Sequence, residues 1–367
     1  GEDPNPYAYG WLPEVGVMTF EGATITAKHK APGRFSHEVA KVMPDQRTVY
    51  LTDDTTGGGF FLFLADKPGV MAAGKLYAAK FDQRTAEGGG AGRVTWVPMG
   101  HVEDGYVDAL IRGGITFEQL FEKSEPKDGV CPPEHVWVRM DAMEECLKVQ
   151  EPTDAIPSVK AAASRLETRR YAAYLGATTE FEKGEGIAFD PENRFLYVAF
   201  ARIAGRMLEE SDGFHSDHIS LPPNPCGAVW TGPLEAGQRD LLGKPIDSEW
   251  VLTDFHSLFV GTPIEPDEAG NTCSTKGFAN PDNLAFLPFY RTLMIAEDTS
   301  RHKVAALWAL DAERALLRRV MVAPPHAEIT GITWTPDARA MWVNVQHPSI
   351  SYPASDGKTR PRSTTVL

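Results

Sequence analysis

One hairpin skeleton recurs four times along this chain, and that recurrence limits its possible folds more than any other feature. The clearest copy runs from Asp282 to Asp298, where an apolar run leads to a proline turn and a second apolar run follows. The others are Glu38 to Asp54 around Pro44-Asp45, Glu185 to Ala201 around Pro191-Glu192, and Thr330 to Gln346 around Pro336-Asp337. Proline pre-sets φ for a turn, and flanks rich in Val, Ile, Leu, Phe and Tyr favour strands, so each copy is expected to be a β-hairpin.

Aligned on Pro44, Pro191, Pro288 and Pro336, the copies place Glu38, Glu185, Asp282 and Thr330 six residues before the proline. Ten residues after it stand Asp54, Ala201, Asp298 and Gln346. A hairpin centred two residues past the proline sets Glu38 opposite Asp54 and Asp282 opposite Asp298 at its open end. Opposed like charges destabilise a strand pair, which calls for something cationic between them. The prolines are 147, 97 and 48 residues apart, close to multiples of a period of about 49, the length of a four-stranded propeller blade. The expected fold is therefore an all-β propeller, in which equivalent strand ends gather at one end of a central channel. Repeated acids at strand ends are often merely solvated, but three in register, two with acidic partners, favour a shared site.

A chain of 367 residues with 42% hydrophobic content can bury a large core as one domain spanning residues 1–367. Net charge is −14 and no Lys/Arg-rich run occurs, which argues against nucleic acid and for metal cations as partners. No apolar run approaches the roughly 18 residues a membrane span needs. The Pro/Tyr/Gly-rich start at Gly1, without Met, reads as the middle of a longer protein. Cys131, Cys146, Cys226 and Cys273 lack the close spacing of zinc sites. Cys226 and Cys273 lie beside Pro/Gly/Asn loops and are expected to bond if the protein is exported.

The β pattern lapses over about 104–180, where helical signals suggest an insertion capping one end of the propeller. Helices are expected near Gly114–Glu118, over Asp141–Gln150, and from an N-cap at Ser158 to Leu175, with Gly176 as terminator. On the last, Arg165, Arg169 and Arg170 suit a solvated face, or one of them points into the site. Gly57-Gly58-Gly59 lacks the Lys-Ser/Thr and helix of a phosphate loop, so close backbone approach is the expectation. His215 and His218 are too few for zinc.

The remaining chemistry is oxygen-rich. Glu38, Asp54, Glu185, Asp282, Asp298 and Glu328 form a donor set suited to hard cations such as Ca²⁺, Mg²⁺, Mn²⁺ or Fe³⁺. Glu328 shares the face of Thr330 by strand alternation, whereas Asp53 and Glu297 point elsewhere unless the strand end is bulged. Six acids exceed the needs of one ion, and clusters of metals suit phosphate ester hydrolysis. Lys183, two residues from Glu185, could hold a phosphate oxygen or could be an exposed loop lysine. No Gly-x-Ser-x-Gly elbow supports serine hydrolase chemistry.

Arg34-Phe35-Ser36-His37-Glu38, Tyr50-Leu51-Thr52-Asp53-Asp54, Lys183-Gly184-Glu185-Gly186, Asn280-Pro281-Asp282-Asn283, and Thr330-Gly331 through Val345-Gln346-His347-Pro348 together resemble the PhoX-type alkaline phosphatases. The similarity runs from about Trp11 to Pro348 and is nearer to a shorter, less characterised branch. It implies a six-bladed propeller, export to the periplasm or beyond, and a calcium and iron (Ca²⁺, Fe³⁺) cluster acting on phosphorylated small molecules. It also implies metal-ligand roles for Glu38, Glu185, Asp282, Asp298 and Glu328. Two departures stand out. Lys183-Gly184-Glu185 replaces a usual Arg-Pro-Glu, and an upstream segment with a metal-bridging cysteine and a further glutamate has no counterpart after Gly1. Two other readings stay open, a calcium lactonase-like hydrolase and a non-catalytic, calcium-stabilised binding propeller.

Overall fold

The computed structural model describes residues 5–19, 21–22, 24–140, 143–209, 217–311, 313–349, 351–353, 359–361 and 363–367. A ribbon of β1 (Leu12–Val17) and β2 (Thr24–His29) precedes the first proline hairpin, β3 (His37–Val42) and β4 (Thr48–Asp53). Then come β5 (Phe60–Lys67), β6 (Val70–Thr85) and β7 (Ala91–Glu103). The insertion follows as α1 (Asp104–Arg112), β8 (Phe121–Ser124), β9 (Val136–Met140), β10 (Met143–Val149), α2 (Val159–Leu166) and α3 (Thr168–Tyr174). The second hairpin, β11 (Gly184–Asp190) and β12 (Phe195–Phe200), continues into β13 (Ala228–Glu235), β14 (Val251–Leu252) and β15 (Asp254–Val260). The third is β16 (Pro281–Leu287) and β17 (Thr292–Glu297), with β18 (Ala306–Asp311) and β19 (Leu316–Val322) beyond it. The fourth is β20 (Glu328–Trp334) and β21 (Met341–Gln346). The small ribbon β22 (Ser351–Pro353) and β23 (Thr359–Pro361) follows, and β24 (Thr364–Val366) then returns to pair with β21.

The fold is a β-propeller. Each proline hairpin opens an antiparallel blade: β3-β4-β5-β6, β11-β12-β13-β15, β16-β17-β18-β19 and β20-β21-β24. The first two blades are joined through β7, which pairs with β6 and with β15. The leading strands β3, β11, β16 and β20 are neighbours in that order, so the four hairpins present the same strand to one axis.

Burial explains the central strands. In β5 the run Phe60-Phe61-Leu62-Phe63-Leu64 is buried throughout. Alternation sends Phe61 and Phe63 into one core and Phe60, Leu62 and Leu64 into another. Each such side chain contributes about 1.5–3 kcal/mol on burial. The first core is closed by the insertion, with Val107, Leu110, Val138, Leu147, Val159, Leu166 and Tyr171 packing over Phe61, Phe63, Leu76 and Val97.

The insertion departs from expectation in three places. Within the expected helix Asp141–Gln150, Met143–Val149 is a strand, and Asp141 and Ala142 lie outside the described residues. The strand β10 pairs with both β8 and β9, burying Glu145 and Cys146, and Cys146 bonds to Cys131. The stretch from Ser158 to Leu175 is two helices, because Glu167 at φ −125°, ψ 53° breaks the ladder. Near Gly114–Glu118 there is only a 3₁₀ turn, Phe117–Gln119. Gly176 does terminate α3 with φ +79°.

Candidate metal centre

The strand partners lie two residues from those expected from the proline alignment. In the first three hairpins the backbone N–H ten residues after the proline donates to the carbonyl eight residues before it. These bonds are Asp54 to Ser36 at 2.9 Å, Ala201 to Lys183 at 3.2 Å and Asp298 to Asn280 at 3.3 Å. In the fourth, Glu328 sits opposite Gln346. All four ladders then slip by one residue, between His37 and Ala40, Gly184 and Ile187, Pro281 and Leu284, and Ile329 and Ile332. Glu38, Glu185, Asp282 and Thr330 are therefore bulge residues. A bulge inserts an unpaired residue and re-aims its side chain. Glu38 and Asp54 do not oppose each other as strand partners, nor do Asp282 and Asp298, but the bulges turn these side chains to one end of the axis.

There they line a single cavity of about 360 Å³, together with Glu185, Glu328, Lys183, Asn283, Thr330 and Gln346. Carboxylate oxygens of Glu38, Glu185 and Asp282 lie within 4.8 Å of one another, as do those of Asp282, Asp298 and Glu328. Asp282 belongs to both groups. Glu185 and Glu328 are buried, Asp54 and Asp282 half-buried, and Glu38 and Asp298 exposed. Lys183 reaches Asp54 with its ammonium and lies 3.5 Å from Glu185. Asn283 Nδ2 donates to Asp282 and Gln346 Nε2 donates to Glu328.

Six carboxylates face one ammonium here, and the electrostatics record the imbalance. Burial, then the carboxylates of Asp282 and Asp54, pushes the Glu185 carboxyl up to about 9. Burial and Asp298 push Glu328 up to about 8. Asp282 rises to about 6, chiefly through burial, and Glu38 rises through burial and Asp54. Burial works against the Lys183 charge, yet hydrogen bonding to Asp54 and attraction to Glu185 hold its pKa above the ordinary value. Such a cluster, all oxygen donors and short of positive charge, fits hard cations. Every cysteine is in a disulfide, so the chain adds no thiolate to the set.

Asp53 and Glu297, the last residues of β4 and β17, do not line the cavity and are fully buried. Glu297 accepts from the Ala279 and Ala306 N–H groups at 2.9 and 2.8 Å and from Trp308 Nε1 at 2.7 Å. Asp53 accepts from Arg169 at 2.6 and 2.7 Å.

Arg165, Arg169 and Arg170 are not a solvated face. Arg165 is fully buried and donates to the carbonyls of Ala31, Met99, Gly74 and Gly100, and Arg170 pairs with Glu145 and Glu167. Arg169 does not line the acidic cavity and instead grips Asp53. Glu167 is only three residues from Arg170, but Asp53, Glu145 and the carbonyls that hold Arg165 lie far from their arginines along the chain, and no sequence pattern marked them.

Gly58 exchanges backbone hydrogen bonds with Phe181, and a Cβ there would sit 3.0 Å from the Asp53 carbonyl, so the glycine run serves close approach. His218 is hydrogen-bonded to Thr178 and Glu180. It does not line the acidic cavity, and His215 lies outside the described residues. Cys226 and Cys273 are bonded, with Cα atoms 6.0 Å apart. No helix among the described residues is long and apolar enough to cross a membrane.

A family model described as alkaline phosphatase PhoX matches residues 3–349. Among solved structures, Pseudomonas fluorescens PhoX in complex with vanadate, a transition state analogue, aligns with TM-score 0.62 and 21% identity. The alignment covers 98% of this chain and 57% of that one, so the present chain spans little more than half the length of that protein. A tricorn protease structure aligns with TM-score 0.26 and 14% identity over 93% of this chain and 31% of that one. No curated protein matches. With the family model covering nearly the whole sequence, the chain belongs to the PhoX alkaline phosphatase family.

Proposed function

We propose that this protein is a metal-dependent phosphatase, hydrolysing phosphate monoesters of small molecules at the acidic cavity. The observation that carries this reading is the convergence of Glu38, Asp54, Glu185, Asp282, Asp298 and Glu328 on one space of about 360 Å³. Of the two alternative readings, a lactonase-like site with one central ion needs fewer acids. Family membership supports a phosphatase over both alternatives.

In this reading Glu38, Glu185 and Asp282 hold one cation and Asp282, Asp298 and Glu328 another, matching the two groups of converging oxygens, with Asp54 beside them. Ca²⁺ fits so hard and anionic a set best, and Fe³⁺ is the further ion the family resemblance suggests. Bound cations there stabilise charge on phosphoryl oxygens and lower the pKa of a water molecule. The residues supply orientation. Asn283 and Gln346 fix Asp282 and Glu328 by hydrogen bonds. Among the described residues, Lys183 is the positive side chain that lines the cavity, a point charge for a phosphate oxygen. Water adds to phosphorus, the P–O bond to the alcohol breaks, and the products are the alcohol and inorganic phosphate.

The two disulfides support residence in an oxidising compartment, the periplasm or outside the cell. The test is release of phosphate from a simple monoester by the full-length protein supplied with calcium and iron. Metal-loaded protein that leaves every simple ester intact would exclude the enzyme and favour the binding propeller.

A further inference from the structure

Arg169 ties the helical insertion to the strand end that carries Asp54, a residue lining the acidic cavity. Arg169, the second residue of α3, sends Nε to Asp53 Oδ2 at 2.6 Å and Nη2 to Asp53 Oδ1 at 2.7 Å, a bidentate pair with a fully buried carboxylate. The same Nη2 donates to Ser36 Oγ at 2.9 Å. Asp53 also accepts from the backbone N–H groups of Ser36 and Gly59, each at 3.2 Å. Ser36 in turn accepts the N–H of Asp54 at 2.9 Å. Both strand ends of the first hairpin are thus tied into one knot. Asp54 is the next residue after Asp53, and Glu38 lies two residues beyond Ser36.

The knot is peculiar to this blade. At the equivalent position the second and fourth hairpins carry Phe200 and Val345, and the third carries Glu297, held by Trp308, His302 and two backbone N–H groups of its own surroundings. Only in the first blade, among the described residues, does the strand-end acid take its cation from the insertion. The bond also lies where the insertion itself is jointed, just after the break at Glu167.

We infer that Arg169 is a positioning residue, which through Asp53 fixes Glu38 and Asp54 for cation binding and so couples the seating of the helical layer to occupancy of the acidic cavity. This rests on the metal-site reading above. Partners that orient metal ligands are worth about 10–100-fold in affinity when removed. Coupling is reciprocal, so a cation in the cavity should tighten the docking of α2 and α3.

The test is Ca²⁺ titration followed by calorimetry on the full chain, for wild type, Arg169→Met, Arg169→Lys and Asp53→Asn, with Arg170→Met as control. Arg170 sits on the same helix and pairs with Glu145 and Glu167 inside the insertion, so its loss reports layer stability alone. Arg169→Met should weaken Ca²⁺ binding by about tenfold or more, Arg169→Lys and Asp53→Asn should fall between it and wild type, and Arg170→Met should stay within about twofold of wild type. Hydrogen exchange across 159–174 in wild type should slow when Ca²⁺ is added, a readout that survives if Arg169→Met fails to fold. Arg169→Met with lowered thermal stability but unchanged Ca²⁺ affinity would overturn the positioning role and leave the metal reading intact. The same holds for exchange indifferent to Ca²⁺. Wild type that binds no Ca²⁺ would overturn both.

Discussion

Glu185 is the residue on which the site turns, since it is buried, sits on a bulge and brings its carboxylate within 4.8 Å of those of Glu38 and Asp282. Glu185→Gln keeps the shape and removes one anionic donor, so phosphomonoester hydrolysis should fall by at least about 100-fold with circular dichroism unchanged. Lys183→Ala should act more mildly, by about tenfold and mainly in KM, because it removes a phosphate contact rather than a cation donor. The raised pKa values of Glu185, Glu328 and Asp282 make a separate prediction for chelated protein. A carboxyl raised in the folded state favours folding below its unfolded pKa, and that stability is lost as pH rises through the folded value. Thermal melts in chelator should therefore drop from pH 6 to pH 9. Saturating Ca²⁺ should flatten the profile, because cations compensate the ionised acids. A chelated protein equally stable at both pH values would contradict the uncompensated cluster.

At the scale of elements, the hairpins were readable because proline turns and apolar flanks are local. Their register was not, because each ladder carries an extra residue that a count from the proline cannot see. The bulge did not spoil the choice of residues: Glu38, Glu185 and Asp282 stood out by their common position, and the bulge is what turns them to one end of the axis. Gly186, second in its bulge, shows how tightly the leading strands pack. A Cβ there would lie 2.4 Å from the Asp282 carbonyl and 2.5 Å from the Leu284 nitrogen. Gly186→Ala should cost about 1–3 kcal/mol in urea unfolding and weaken cation binding as well, since it drives β11 from β16. The Cys226–Cys273 bridge was legible from its loop context. Its neighbour Asn280 donates to the Pro225 and Ala201 carbonyls two residues before Asp282, so Cys226→Ala/Cys273→Ala should lose about 2–4 kcal/mol of stability. The Cys131–Cys146 bridge was missed because Asp141–Gln150 reads as helix by composition. The strand wins there because Glu145, between Lys123 and Arg170, and the bonded Cys146 are worth more than local propensity.

The whole molecule joins a repeated element to an unrepeated one. The propeller followed from the 49-residue spacing, and the convergence of acids followed from the propeller. The insertion has no period, so its helices could be placed only roughly and the partners of Arg165, Arg169 and Arg170 not at all. Those partners decide its role, covering the first blade and reaching the site through Asp53. The measurement that bears most directly on the central claim is phosphate release from a simple monoester by metal-replete full-length protein, with the metals stripped by chelator and then restored. The cavity as described predicts hydrolysis that disappears on chelation, returns with calcium and iron, and is absent from Glu185→Gln throughout. Hydrolysis that persists in chelator, or that Glu185→Gln retains in full, would contradict it.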